Sequence, residues 1–266
     1  MNTDIQNINV QYNQEEEDLT EQIYNINSDC GFIYIASNNV GGVDSIDYIK
    51  EAIFSAQSLR KQIPNANITL FTDKKINCKD FNNIILCKMG LRCKQKYFLQ
   101  SPYEKTIYID TDTYINYDIS DMFKMLTKYE LLCVHDYARK RRLGIPEYDD
   151  IPYGFSELNG GIIGFKKCEN LKILINKWNK YYEKYYDKIK WDQPSFRIAV
   201  WKSNINLYCL PIEYNRRSKD TKQKCIDLKN KGDPRFGKSH LVTRIYHFHG
   251  LSKLNIKQME EKAQNF

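Results

Sequence analysis

Asp110 and Asp112 flank Thr111 at the end of the apolar run Thr106-Ile107-Tyr108-Ile109. In an extended chain, side chains two apart point to the same face, so both carboxylates can close on one hard cation. The run before them reads as a buried strand, and open α/β sheets take their ligands outside the carboxyl ends of their strands. A second cluster, His247-Phe248-His249-Gly250-Leu251-Ser252-Lys253, comes late in the chain. A strand that ends in histidine and turns at glycine towards lysine can place an imidazole on a metal and an ammonium on a phosphate. Either motif alone also describes an ordinary loop start or the end of an edge strand. Together they offer two carboxylates and one imidazole with coordination positions left open. That set suits a Mn²⁺-like ion, with Mg²⁺ as the alternative, better than Ca²⁺, because a nitrogen joins the hard oxygens. The open positions imply a diphosphate ligand.

Elements distant in sequence must bring these groups together. Gly31 to Ser37 reads as a strand. Asp44 to Ile63 carries apolar residues at Ile46, Ile49, Ile53, Ala56 and Leu59, a helical spacing stopped by Pro64, and Ile68 to Phe71 reads as a second strand. This βαβ unit requires a parallel sheet. A strand over Ile84 to Cys87, a helix over Leu91 to Gln100 and the strand ending at Asp110 complete a Rossmann-like half. Asp118 to Tyr129 then reads as helix, and Leu131 to Val134 as a strand leading to Asp136. The polar loop that follows contains Arg139-Lys140-Arg141-Arg142 and Pro146, and is long enough for a lid or a substrate wall.

Further on, Asn159-Gly160-Gly161 introduces a strand over Ile162 to Phe165, and Glu169 to Lys190 forms a long helix. Along it Trp178, Tyr181, Tyr182, Tyr185, Tyr186 and Ile189 recur at three and four, the spacing of a core-facing stripe more than of a stacking platform. A helix (Pro194 to Trp201), a strand (Leu207 to Pro211), a basic loop (Arg216 to Lys238) and a last strand (Val242 to Phe248) complete the reading.

The composition, 42% hydrophobic and 27% charged over 266 residues, is that of a globular protein with one good core. No apolar stretch reaches the ~20 residues of a membrane helix, and the start lacks the basic and apolar segments of a signal peptide, so the expectation is a cytoplasmic protein with no membrane span. Eight cysteines occur without a Cys-x-x-Cys pair, mostly in apolar surroundings, which predicts buried reduced thiols. Residues 1 to 49 hold nine acids and no Lys or Arg, leaving 40 bases against 24 acids, a net +16, on the remainder. Such a body favours anionic partners, although heavy use of Asn, Ile, Lys and Tyr discounts the charge as compositional bias.

In their order the motifs resemble those of GT-A nucleotide-sugar glycosyltransferases, most of all the glycogenin-like family 8 enzymes. The pieces are Asp110/Asp112 after a buried strand, Asn159 to Gly161, Asp192-Gln193, and His247 to Lys253, with a start formed by Tyr48, Ile49, Ala52, Ser55, Ser58, Leu59 and Arg60. The resemblance runs from about Gly31 to Lys253. It implies an α/β fold with a mixed, mostly parallel central sheet flanked by helices in one domain. A tail over 1–28 would precede it, with 29–136 as the nucleotide-binding half and 137–266 as the acceptor and donor-sugar half. It also implies a UDP-sugar as donor, a hydroxyl-bearing acceptor, a divalent cation, and transfer with retention of anomeric configuration.

Carried over by residue, Asp110, Asp112 and His247 would hold the metal, and Asp110 and Thr111 would also meet the nucleotide. Lys94 would contact the sugar nucleotide, Lys253 the diphosphate, and Gly250 would let the backbone approach it. Asn159, Asp192 and Gln193 would face the donor sugar. Two departures stand out. Leu254-Asn255 replaces the family's Pro-Trp, and His249 offers an alternative to His247, which register favours. An inverting enzyme would need a base, for which Asp136 and Glu157 are candidates. The rivals are a nucleotidyltransferase or a silent sugar-nucleotide binder on a similar fold, and a basic nucleic-acid-binding protein. The last leaves the carboxylate pair unexplained, since those acids would repel a phosphate backbone.

Overall fold

Runs of β-branched and aromatic residues become strands where such side chains can pack on a pleated surface. In the computed structural model, which describes residues 29–38, 46–90, 94–217, 242–248, 251, 254, 257–258 and 260–261, four of these runs form parallel neighbours. They are β1 (Cys30–Ala36), β2 (Ile68–Thr72), β3 (Asn83–Leu86) and β4 (Lys105–Ile109), joined β3-β2-β1-β4. The sheet continues through β7 (Leu158–Lys166), which runs antiparallel to both its neighbours, to β6 (Leu131–His135) and β8 (Leu207–Leu210). Six of the seven strands are therefore co-directional, as the mixed, mostly parallel expectation had it.

Helices cover both faces because strand residues alternate. Phe32 and Tyr34 pack with α1 (Tyr48–Gln62) on one side, through Ile49, Ala52, Ile53, Ala56 and Leu59. Ile33 and Phe71 pack on the other side with α2 (Gln95–Phe98), α5 (Glu169–Tyr185) and α6 (Gln193–Trp201). Trp178 is fully buried there, stacked on Phe196 at 4.2 Å. Truncating such a side chain costs about 3–5 kcal/mol. The aromatic stripe of α5 is therefore core, with Trp178 and Tyr182 buried and Tyr181, Tyr185 and Tyr186 packed beside core clusters.

Several boundaries differ from the sequence reading. Helix α1 begins at Tyr48, where Asp47 accepts from the Lys50 amide at 2.9 Å and caps the first turn. Over Asp118 to Tyr129 only α3 (Asp121–Met125) is helical, because Asp118 turns the chain by accepting from the Ser120 amide at 2.7 Å. Helix α5 stops at Tyr185, whose carbonyl receives both the Lys188 and the Ile189 amides, at 3.0 and 2.7 Å. Asn159-Gly160-Gly161 lies inside β7 instead of leading into it. The polar loop contains α4 (Pro146–Asp149), and buried Arg197 fastens the segment by donating to the carbonyls of Tyr148, Ile151, Pro152 and Phe155.

A second sheet was not expected. It consists of β5 (Thr113–Ile115), β10 (Ile245–His247) and β9 (Arg216–Arg217), with β10 in the middle. The six described cysteines are free. Only Cys133 is buried and the others are half-buried, which corrects the expectation of buried thiols. Cys93 and Cys225, and the basic loop beyond Arg217 as far as Lys238, lie outside the described residues. Among the described residues no helix is long and apolar enough to cross a membrane.

Candidate metal centre and its surroundings

The small sheet explains how the two motifs meet. After the Asp110-Thr111-Asp112 turn the chain re-enters as β5, and β10 pairs with it antiparallel, setting His247 opposite Thr113. The Phe248 amide donates to the Asp112 carbonyl at 2.7 Å, which fixes the register. His247 Nε2 then stands 3.2 Å from Asp112 Oδ1 and 3.7 Å from Asp110 Oδ2. The three residues offer ligand atoms within 4.8 Å of one another. Donor atoms about 2.1 Å from one octahedral ion sit about 3 Å apart when adjacent. The set therefore fits a single divalent cation after small side-chain adjustments. His249, Gly250 and Lys253 lie outside the described residues.

Space for the imidazole comes from β7. Pairing with β6 slips between Cys133 and Val134, so Val134 faces Asn159 while Cys133 faces Ile163. Gly161 sits within this irregularity, its carbonyl accepting from the Asp110 amide at 2.7 Å. A Cβ on Gly161 would come within 2.3 Å of His247 Cε1. The Asn-x-Gly pattern thus has a steric reason at its second glycine.

A directed chain of hydrogen bonds sets the imidazole tautomer. His247 Nδ1 lies 2.7 Å from Asn215 Oδ1, Asn215 Nδ2 donates to Asn159 Oδ1 at 2.7 Å, and Asn159 Nδ2 donates to Asp136 Oδ2 at 2.9 Å. The chain reads consistently if Nδ1 carries the proton, which leaves Nε2 as the ligand atom. Burial works against a charged imidazole here, but Asp112 and Asp110 outweigh it and raise the His247 pKa. The Asn159 amide is 3% exposed, and its oxygen also accepts from the Gly161 amide at 2.8 Å. Asn159 therefore belongs to this buried chain. Asn215 carries the central link, and asparagine at no characteristic spacing gave the sequence reading no reason to assign it a role.

Lys94, preceding α2, points Nζ into the same place. It donates to the Gly160 carbonyl at 2.8 Å and lies 3.5 Å from Asp110 Oδ1 and 3.4 Å from Asp192 Oδ2. Burial alone would lower its pKa, yet the two carboxylates raise it, so the ammonium stays charged. Burial likewise opposes ionisation of Asp110, but Lys94 and His247 hold its carboxyl below the usual range. The Tyr108 hydroxyl also donates to Asp110. Asp192 is fixed through its backbone, whose carbonyl accepts from Trp178 Nε1 at 3.2 Å and Ser195 Oγ at 2.7 Å. At the first residue of α6, Gln193 Nε2 is buried with no hydrogen-bond partner.

Thr111 turns away from the two aspartates, as alternation requires, and its hydroxyl donates to Glu51 Oε2 at 3.2 Å. Glu51, on α1 and 1% exposed, accepts the Leu251 amide on its other oxygen at 2.7 Å. This carboxylate ties the Asp110-Thr111-Asp112 turn to Leu251, beyond β10. The sequence reading missed it because one acid in an amphipathic helix looks like a solvated face.

Asp136 and Glu157 occupy a separate cluster. Asp136 Oδ2 also accepts from Arg217 Nη1 at 3.0 Å, its Oδ1 accepts from the Ala138 amide at 2.9 Å, and Arg141 stands 3.7 Å from it. Glu157 pairs with Arg141 and accepts the Tyr148 hydroxyl. Both carboxylates are fully buried, and each is held by cationic or hydroxyl partners.

No family model matches the chain, and no curated protein matches its sequence. Solved structures do match. A galactosyltransferase, LgtC, in complex with donor and acceptor sugar analogs superposes with a TM-score of 0.59 at 12% identity, over 89% of this chain and 96% of that one. The glycosyltransferase GlyE of Streptococcus pneumoniae TIGR4 gives 0.55 at 14% identity, over 87% of this chain and 60% of its own. Mouse xyloside xylosyltransferase 1, in its apo form, gives 0.52 at 9% identity, over 85% and 99%. With its mostly parallel seven-stranded sheet, the chain has the fold of the GT-A glycosyltransferases.

Proposed function

We propose that the protein transfers a sugar from a nucleotide diphosphate, with UDP as the expected nucleotide, to a hydroxyl acceptor, using a divalent cation held by Asp110, Asp112 and His247. The observation that carries this reading is the convergence of those three side chains at the carboxyl end of β4, with Lys94 beside them. The LgtC complex, with donor and acceptor analogs on the same fold, supports a site for both partners. A bound Mn²⁺ or Mg²⁺ would supply Lewis-acid neutralisation of the diphosphate leaving group.

The chain's own residues do the remainder. Lys94 holds Asp110 and Asp192 in place, and Thr111, anchored on Glu51, fixes the turn that meets the nucleotide. Asn159 acts through Asn215 to orient His247. By resemblance, Gly250 gives the diphosphate access to the backbone and Lys253 pairs with it. The bond from the anomeric carbon to the departing phosphate oxygen breaks, and the acceptor oxygen bonds to the same carbon. In a retaining reaction the acceptor proton passes to that phosphate. Positive charge on the sugar faces Asp192, and the unpartnered Gln193 amide meets a sugar or acceptor oxygen.

The test is a screen of UDP-, GDP- and TDP-sugars with Mn²⁺ for slow donor hydrolysis, with product anomers followed by NMR. UDP-sugar turnover that Asp112→Asn abolishes is expected. Undiminished activity in that variant would sink the metal assignment, and UDP–Mn²⁺ binding without turnover would mark a silent binder.

A further inference from the structure

Resting on the sugar-transfer reading, we infer that the cleft beyond the ends of β6 and β8 is the acceptor subsite, and that Arg139 makes it select hydroxyl acceptors bearing a carboxylate or phosphate. The cleft is about 430 Å³, with Leu210 and Ile212 on an apolar side and His135, Asp136, Tyr137 and Arg139 on a polar one. That volume and mixed lining suit a small ligand. Asp136 connects it to the metal centre through Asn159, Asn215 and His247.

Charge accounting gives the selectivity. Asp136 is the acid of the lining, and Arg217 and Arg141 already meet it, Arg141 pairing with Glu157 as well. Arg139 is the arginine of the cleft lining, and neither acid takes it up. Its carbonyl is pinned by the Glu157 amide at 2.9 Å, while its exposed guanidinium has no hydrogen bond or ion pair among the described residues. His135 adds no charge, because burial first, and then Arg139, lower its pKa. Its Nδ1 is buried and has no hydrogen-bond partner among the described residues. Tyr137 is 49% exposed, with Arg217 against its ring at 5.4 Å, and offers surface to a sugar ring. A planar fork in a partly enclosed cleft favours carboxylate or phosphate over a neutral hydroxyl.

The experiment compares methyl glucuronide and glucose 6-phosphate with methyl glucoside as acceptors, the two anions separating carboxylate from phosphate. At least one anion is expected to exceed the glucoside in kcat/KM by about tenfold or more. Arg139→Ala should bring that ratio near unity, and Arg139→Glu should reverse it. Equal use of all three acceptors, or a preference that survives Arg139→Glu, would overturn the inference. If none is glycosylated, calorimetric titration of each into protein loaded with UDP and Mn²⁺ decides. Binding of an anion that Arg139→Glu removes supports the subsite, and absence of binding refutes it. Failure of the unaltered protein to bind UDP with Mn²⁺ or hydrolyse any donor would instead remove the sugar-transfer reading, and this inference with it.

Discussion

Carboxylates occur in two opposed settings in this fold. Asp110 and Asp112 keep 26% and 19% of their side chains exposed, and the groups beside them, Lys94 and His247, leave oxygen atoms facing one another. Asp136 and Glu157 are fully buried, with Arg141, Arg217, Tyr148 and Asn159 gathered on them. Positive partners are present in both places, so the presence of a counter-charge does not separate a ligand site from a brace. Completeness does. A carboxylate withdrawn from water must have its oxygens satisfied by the protein, and one that remains partly wet can exchange water for a cation.

The largest expected effect tests the wet pair. Asp112→Asn should lower donor turnover by at least about a hundredfold to a thousandfold while leaving the urea midpoint of unfolding close to that of the unaltered protein. A large fall in the midpoint would show that Asp112 is as structural as Glu157. The brace should behave in the reverse manner. Glu157→Ala leaves Arg141 with the more distant Asp136 and takes away the acceptor of the Tyr148 hydroxyl, and should cost about 2–4 kcal/mol of stability in urea titration, reduced from a fully buried pair because Arg141 keeps 26% exposure. A cost no larger than that of a surface ion pair would erase the distinction.

What the sequence made legible follows the same division. The aspartate pair could be read because a β-rich run delivers it to a strand end, and α5 because its aromatics recur at helical spacing over many residues. The small sheet could not be read. Strands β5, β9 and β10 have three, two and three residues, too short for any periodicity, and the pairing of β10 with β5 joins residues more than a hundred positions apart. Asn159 was visible as part of a motif, yet its place in a buried chain depends on Asn215, which only the tertiary fold brings near. The burial of Glu157 and Asp136 under Arg141 and Arg217 is likewise not written in local sequence.

Glu51 lies between the two settings, being buried like the brace while serving the wet pair. Glu51→Gln keeps the shape but sets an amide donor against either Thr111 or the Leu251 amide. Apparent Mn²⁺ affinity, read by titration of UDP binding, should fall by about tenfold, with a smaller change in melting temperature. Unchanged affinity would confine Glu51 to holding α1 in place.

The smallest effect belongs to a third carboxylate, Glu147, which is paired but wet. Lys184 Nζ lies 2.6 Å from it and the Tyr185 hydroxyl donates to it, and these two bonds bring its carboxyl from the ordinary 4.5 down to about 2. A folded-state pKa below the unfolded one means that the native protein binds fewer protons between those values. The stabilisation is then present above about pH 4.5 and is lost as the pH falls towards 2. Lys184 is half exposed, so solvent screens most of the attraction and the shift overstates its worth. Glu147→Gln should therefore lower the urea midpoint at pH 7 by only a small fraction of the Glu157→Ala effect, and that difference should shrink as the pH is lowered towards 3. A loss at pH 7 equal to that of Glu157→Ala would mean that pairing without burial suffices for a brace, and completeness of burial would no longer tell the two kinds of carboxylate apart.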